Sequence, residues 1–510
     1  MKNIFVFIFL FFFSFCSLAQ NYPLTEHQQN INPNLIYSEN NFTLQKPFTG
    51  IENKTVDSLI FTQTTSKYKN WFLRKIFDEN LFVKQDDKFI VILNPLLDFR
   101  LNYQNNTRGY HNTRGVMLSG KLDSKIYFNS CFTESQAIFP ENIKKYFDEF
   151  GVIPGYGRIK PLSRSGEFDF GAAYGNIAVK ACKFLDISLG YDKLFIGDGY
   201  RSLILSDFSA PMMYAKTAFN YKKFQINNIF TKAINPNFNN VLQHENPVSL
   251  NSRYPAKYVS FNTLTYKPTK AWQISLIEAL VLTQNIDEWN YPAYILLPFV
   301  RTTFINYKKQ LTNNFVGVNT TWQNKKIGII YSQIFIDKIS KSDLIASLQI
   351  GYKNFDFLKV KNLFFQIEYN RVPREMYLHA NNDLHYGHYN QAIAHPAGAG
   401  FNEILAIADY KFKRLEVLTK SVFLKYATIN SEYNQQNIFD YSLLYNVDAN
   451  TFTKNPMLIS DVQIIYNLNN SYRLQIFAGI SNRADLTTKN STNFIQCGLR
   501  TALRINYDDF

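Results

Sequence analysis

The sequence predicts an all-β chain: an 18-stranded antiparallel transmembrane β-barrel preceded by a short N-terminal segment, part helical and part extended, on the periplasmic side. Three observations predict it. The N-terminus reads as an export signal, an aromatic-rich composition coexists with a polar average, and short and long connections alternate strictly along the chain.

The export signal comes first. Lys2 supplies a positive charge, Ile4 to Phe15 form an apolar run rich in Phe, and Ser17-Leu18-Ala19 places small residues where a signal peptidase reads them, so residues 1–19 are expected to leave and Gln20 to start the mature chain. The run is shorter than the ~20 residues a spanning helix needs, which argues against an uncleaved anchor. Cys16 invites a lipoprotein reading, but Phe15 stands where lipidation signals place Gly or Ala.

Past Gln20 no stretch of 18 apolar residues recurs, so the chain is either soluble or crosses a membrane as strands. Aromatics make up 16% of the residues, with 33 Tyr and 46 Phe, while mean hydropathy is −0.21. An aromatic girdle around a polar lumen produces that combination; a large secreted soluble β-protein is the alternative. The formal charge of +14 falls by one when Lys2 leaves. It suits a basic lumen or basic loops facing lipopolysaccharide phosphates or an anionic polymer, and export makes nucleic acid an unfitting partner. Cys131, Cys182 and Cys497 remain in the mature chain, odd in number and far apart, so they read as small wall residues and not as a disulfide framework.

Residues 20–87 read as a periplasmic or plug segment. Gln20 to Thr49 is polar and Asn-rich, and Ser66 to Val83 carries Trp71, Phe72, Ile76, Phe77 and Phe82 at helical spacings, predicting one amphipathic helix whose apolar face is expected to pack on the barrel mouth. Residues 88–510 read as the barrel. Val316, Val318, Thr320 and Trp322 alternate with Gly317, Asn319 and Thr321, and Leu363, Phe365, Ile367 and Tyr369 alternate with Gln366, Glu368 and Asn370. Tyr472 to Ile480 and the last strand, Phe494 to Tyr507, alternate in the same way, before a terminal Phe510 that is out of phase with the lipid face.

The connections set the count. Eight short turns fall at 123–124, 182–183, 222–223, 268–270, 324–325, 354–360, 413–414 and 469–470; nine longer loops fall at 104–112, 134–166, 197–209, 235–256, 284–313, 338–343, 372–400, 429–455 and 483–492. Seventeen connections give 18 strands with both termini on the short-turn side, the periplasmic side of an outer-membrane barrel, and long loops outside. Tyr294 to Tyr307 looks strand-like but would break the parity, so it is assigned to a loop that folds into the lumen.

The most distinctive block runs from Gly190 to Asp207, followed by Ala210-Pro211. Here a strand ends, glycines allow a tight turn, and Asp198, Tyr200, Arg201, Ser206 and Asp207 are expected to converge at the extracellular mouth as hydrogen-bonding groups, with Arg301 from the apolar loop as a further candidate ligand residue. Gly197 to Leu205 with Ser206-Asp207 and Ala210-Pro211 resembles the capsule-assembly (Wzi-like) outer-membrane proteins, especially the RemB-like gliding-motility proteins. Ser275 to Ala279, Ile330 to Asp337, Gln366 to Asn370 and Tyr389 to Pro396 extend the resemblance, which runs from about Trp71 to the C-terminus. It implies an 18-stranded barrel with an N-terminal periplasmic helical element that holds polysaccharide at the cell surface. One helix in 20–87 departs from a multi-helix bundle.

No catalytic constellation emerges. Ser206 lacks a Gly-x-Ser-x-Gly setting and a His partner by spacing. Glu278 and Glu368 could form an acidic pair for glycoside cleavage, but read better as ion-pair partners. His379, His385, His388 and His395 share one loop, where hydrogen bonding fits better than a metal, and no cofactor motif is present. Tyr156 with Arg158, Lys160 and Arg164 suits sugar stacking and uronate binding. The expected function is a noncatalytic surface polysaccharide-binding or anchoring barrel in capsule assembly or gliding; a porin or solute channel, or a surface component of secretion or motility machinery with protein partners, is the alternative.

Overall fold

In the computed structural model, period-2 alternation is realised as 18 long antiparallel strands closed into one barrel. The structure describes residues 21–22, 42–49, 66–104, 107–123, 125–157, 159–162, 166–235, 256–283, 312–339, 344–429, 438–439 and 452–503. The strands are β1 (Phe89–Gln104), β2 (Thr107–Leu122), β3 (Ile126–Ile138), β4 (Glu167–Cys182), β5 (Leu185–Asp192), β6 (Met212–Tyr221), β7 (Phe224–Ile234), β8 (Ala256–Tyr266) and β9 (Trp272–Thr283). They continue as β10 (Thr312–Asn324), β11 (Gly328–Ile339), β12 (Leu344–Asn354), β13 (Leu363–Val372), β14 (Phe401–Phe412), β15 (Leu415–Ile429), β16 (Phe452–Asn469), β17 (Leu474–Asp485) and β18 (Ser491–Thr501).

Turns and loops fall at alternating ends as predicted, though 105–106 and 340–343 are short connections at the long-loop end. Connections at one end are short, from 123–125 to 470–473; those at the other include 139–166, 193–211, 235–255, 284–311, 373–400 and 430–451. The faces also follow the alternation. On β13, Gln366, Glu368 and Asn370 are buried inside while Ile367 is exposed outside, and on β10 Asn319 and Thr321 are buried while Val318 is exposed. The outer face near the short turns carries an aromatic girdle including Tyr221, Phe224, Tyr266, Trp272, Tyr410, Phe412 and Tyr466, with Phe224 stacked on Tyr266 at 4.7 Å.

Several boundaries differ from expectation. β1 and β2 run into what reads as a loop at 104–112, because Tyr110 to Asn112 complete the ladder with β1 and β3. The segment 134–166 contains a second helix, α2 (Glu141–Phe150), ending at Gly151 in the left-handed conformation. The predicted helix between Ser66 and Val83 contracts to α1 (Trp71–Phe77), after which Phe82–Gln85 pairs with β1 at Ile90 to Leu93 and covers the edge that β18 leaves open below Asp98. β18 starts at Ser491, earlier than the expected Phe494. Residues 1–20, the run 294–307 with Arg301, and 504–510 with the terminal Phe510 lie outside the described residues.

Among the described residues, 42–49, 193–211 and 373–400 fill the lumen, and Ile438 joins their core. Residues 193–211 fold inward from the long-loop end, where Phe195–Ile196 pairs antiparallel with Gln45–Lys46 of the N-terminal segment. Residues 373–400 fold in beside them: Ser206 donates its amide to the Ile393 carbonyl at 2.9 Å, the Tyr377 hydroxyl donates to the Leu203 carbonyl and the Tyr386 hydroxyl to the Ile204 carbonyl, both at 2.7 Å. Buried apolar side chains of these segments join those of the wall in one continuous core.

Candidate functional site

The distinctive block is found inside the barrel and not at its mouth. Asp198, Arg201, Ser206 and Asp207 are all buried, and Arg201 is among the largest fully buried side chains. The reason is that the wall inside is polar, and a chain entering it must offer a hydrogen-bonding partner to each inward amide, hydroxyl and charge. Asp198 accepts from the Thr43 hydroxyl at 2.7 Å, the Thr321 hydroxyl at 2.5 Å and the Asn319 amide at 3.1 Å, while its backbone carbonyl accepts from Lys353 Nζ at 2.6 Å. Glu368 accepts the Tyr200 and Arg201 amides at 2.9 and 3.2 Å and the Tyr331 hydroxyl at 2.8 Å. Arg201 Nε lies 3.5 Å from Glu403, Tyr200 accepts from Lys420 at 3.0 Å, and the Ser206 hydroxyl donates to the Ala394 carbonyl.

The glycines of this block serve close approach more than turning. A Cβ on Gly197, where φ is +146°, would stand 2.4 Å from the Gln333 amide, and one on Gly199 would stand 2.4 Å from a Glu368 carboxylate oxygen. Burial pushes the Asp198 carboxyl up, but the Lys353 ammonium, the Thr321 hydroxyl, Lys46 and Thr43 outweigh it and hold it below the ordinary carboxylate range. Burial and then repulsion from Lys353 push the Lys46 ammonium down to about 7.

The other candidates also resolve into packing. His388 accepts the Ile234 amide on Nδ1 at 2.9 Å and donates from Nε2 to the Pro211 carbonyl at 3.1 Å, His385 lies 2.9 Å from Asn235 Oδ1, and His395 lies 2.8 Å from Glu403. Glu278 accepts from Asn262 at 3.0 Å on β9, whereas Glu368 is engaged by the plug, so the two carboxylates do not share a site.

A cavity of about 790 Å³ lies at the long-loop end, between α2 with residues 153–156 on one side and β1, β2 and β16 to β18 on the other. The volume falls within the ~300–1,000 Å³ of ligand cavities. The strand side contributes Arg100, Asn102, Gln104, His111, Arg483 and Gln496; the opposite side contributes Phe139, Ile143, Lys145, Ile153, Tyr156 and Lys193. Arg100 is held by a bidentate pair with Asp98, at 2.7 and 2.5 Å. Lys193 Nζ donates to the Asp207 carbonyl at 2.8 Å, which links the cavity floor to the plug. The Gln496 side chain is buried, and its Oε1 has no hydrogen-bond partner among the described residues. An amide, a guanidinium and aromatic faces in one concavity can pair sugar hydroxyls, a carboxylate and the apolar faces of pyranose rings.

Of the predicted glycan residues, Tyr156 lines this cavity. The side chains of Arg158, Lys160 and Arg164 lie outside the described residues. Arg100, Arg483 and Gln496 carry no sequence signal beyond their inward parity, because the cavity arises where the first and last strands meet across nearly the whole chain length.

No family model and no curated protein matches the chain. Among solved structures it is similar to Wzi of Escherichia coli, described as an outer-membrane protein involved in group 1 capsule assembly and a carbohydrate-binding β-barrel, at 10% identity and a TM-score of 0.58, covering 95% of this chain and all of that one. It also matches OpdQ of Pseudomonas aeruginosa at 11% identity and a TM-score of 0.41 over 81% of this chain and 98% of that one, and a BenF-like porin of Pseudomonas fluorescens at 9% and 0.42 over 80% and 97%. At these identities the likeness is one of fold: the chain has the closed antiparallel barrel of outer-membrane proteins.

Proposed function

We propose that the protein is a noncatalytic outer-membrane barrel that binds an anionic surface polysaccharide in the cavity at its long-loop end, with the short turns in the periplasm and residues 20–87 as its periplasmic and plug segment. The observation that carries this reading is the cavity, in which Arg100, Arg483, Lys145 and Lys193 stand beside Tyr156 and Phe139. The carbohydrate binding stated for Wzi agrees with it. A role in capsule or exopolysaccharide assembly, or in gliding, follows if the bound polymer is the cell's own coat.

The segment 193–211 and the loop 373–400 inside the barrel favour an anchor over an open porin. In this reading Asp198, Tyr200, Arg201, Ser206 and Asp207 hold the plug in place instead of touching the glycan, and Lys193, which lines the cavity and donates to the Asp207 carbonyl, is the link. The test is retention of a polyuronate such as alginate by the purified full chain in detergent, with neutral dextran as control. Retention that weakens with salt and falls several-fold in Arg483→Gln and Lys145→Gln supports the reading. Equal retention of dextran, or no effect of either substitution, overturns it.

A further inference from the structure

Helix α1 is held to the barrel by the carbonyls at its C-terminal end and leaves Trp71, Phe72 and Leu73 of its first turn uncovered. Asn469 donates to the carbonyls of Lys75 and Glu79, both at 2.9 Å; the Tyr472 hydroxyl donates to Lys75 at 2.9 Å, and the Ser471 hydroxyl donates to Asp78 at 2.5 Å. Arg414, from the turn between β14 and β15, pairs with Asp78 at 3.0 Å. These contacts satisfy carbonyls at the helix C-terminus, and Asn70 caps the other end by accepting the Phe72 amide at 2.9 Å. A seven-residue helix would not persist alone, so the rim of the barrel preforms it.

What the rim does not cover is Trp71 and Phe72, each 61% exposed, together with Leu73 and Tyr68. The sequence expectation, in which the apolar face packs on the barrel mouth, is met only in part: Ile76 and Phe77 are half-buried, while Trp71, Phe72 and Phe82 are exposed. Exposed Lys67 and Lys69 stand just before them. Further along the chain, Phe82 is exposed and paired opposite Leu93 on the outer surface, alternating with Val83, which packs inward beside Ile90 and Ile92. The strands above the helix carry exposed Tyr466, Leu415 and Phe412 at the same end. The uncovered aromatics thus stand at the same end of the barrel as the lipid-facing girdle, where α1 is docked.

We infer that α1 is an interfacial anchor: Trp71, Phe72 and Leu73 insert into the membrane leaflet at the short-turn end, and Lys67 and Lys69 meet its lipid phosphates. Trp and Phe in an exposed first turn with Lys just before them match the composition of a segment lying at the headgroup boundary, buried roughly 5–10 Å. The anchor ties the segment that leads to the lumen plug to the membrane plane, next to the seam that Phe82–Gln85 covers.

The test uses the full chain in phospholipid nanodiscs, with Trp272, Trp289 and Trp322 replaced by Phe so that Trp71 is the remaining indole. Emission is expected to be quenched several-fold more by lipids brominated near the ester end of the chain than by those brominated near the methyl end, and to resist aqueous iodide. Phe72→Glu with Leu73→Glu is expected to restore iodide quenching while amides 78–80 keep their exchange protection, which separates loss of the anchor from loss of the helix. Iodide quenching without bromolipid quenching overturns the inference, placing Trp71 in water. Shielding from both quenchers also overturns it, placing a protein surface over the helix.

Discussion

Taking the carboxylate from Asp198 would strand three donors and two neighbouring ammonium groups inside the lumen, which is the costly direction in which to break a buried ionic contact. Asp198→Ala is expected to weaken seating of the plug by about 3–5 kcal/mol, read as faster amide exchange in 42–49 and 195–205 with the β10 and β12 amides unchanged. His388 supplies a pH dependence at the same scale. Burial is the main cause that brings it from 6.5 down to about 3, with Lys257 adding to the shift and the bond to the Pro211 carbonyl opposing it; His385 is pushed down by burial and then Lys257. Between those values the released loop takes up a proton that the seated loop does not, so stability is full above about 6.5 and lost as pH falls toward 3. His388 alone corresponds to a loss on the order of 5 kcal/mol across that window. Limited proteolysis at stepped pH should therefore cut 373–400 increasingly below pH 6, and His388→Gln should flatten the profile.

At the scale of elements, α1 and its rim form a unit in which side chains of a turn complete a helix. Asn469 donates to two helix carbonyls and also accepts the Ser471 and Tyr472 amides at 2.7 and 3.4 Å, so it both shapes the β16–β17 turn and binds the helix. Asn469→Ala leaves those groups without it and should cost about 1–3 kcal/mol. The expected outcome is loss of exchange protection at Phe77 to Asn80 with the barrel melting unchanged; a protected helix in that variant would mean that Arg414 and Tyr472 suffice. The plug behaves differently from α1. Its three segments share backbone pairing and one apolar core, so disturbing one of them is expected to release the others together.

At the scale of the molecule, the barrel is a rigid wall with a polar interior that has been occupied by its own chain. The full protein should show no stable open-pore conductance in planar bilayers. Replacing both 195–209 and 375–398 by short Gly-Ser links should open one, since the wall they contact is lined by hydrogen-bonding side chains that would face water. A closed trace from the double replacement would place the barrier in segments other than these two. The cavity belongs to this scale as well, because β1 and β18 make it together and any loss of barrel closure removes it.

The amino-acid order by itself determined the barrel, its 18 strands, their parity and the inward or outward sense of residues such as Asn319, Val318, Glu368 and Ile367. Those features depend on local alternation and on connection length, which a chain carries in neighbouring residues. It also singled out Gly197-Asp198-Gly199 and the histidines of 373–400 as unusual. Only the tertiary structure decided that this block descends into the lumen to meet Thr43, Lys353 and Glu368, residues up to 170 positions away. The same holds for the cavity, where Arg100 and Gln496 become neighbours by closure, and for α1, whose C-terminal end docks while Trp71 and Phe72 stay uncovered. The physical reason is that a loop's path inside a polar barrel is chosen by long-range hydrogen-bond matching and charge pairing, which leaves no period in the sequence.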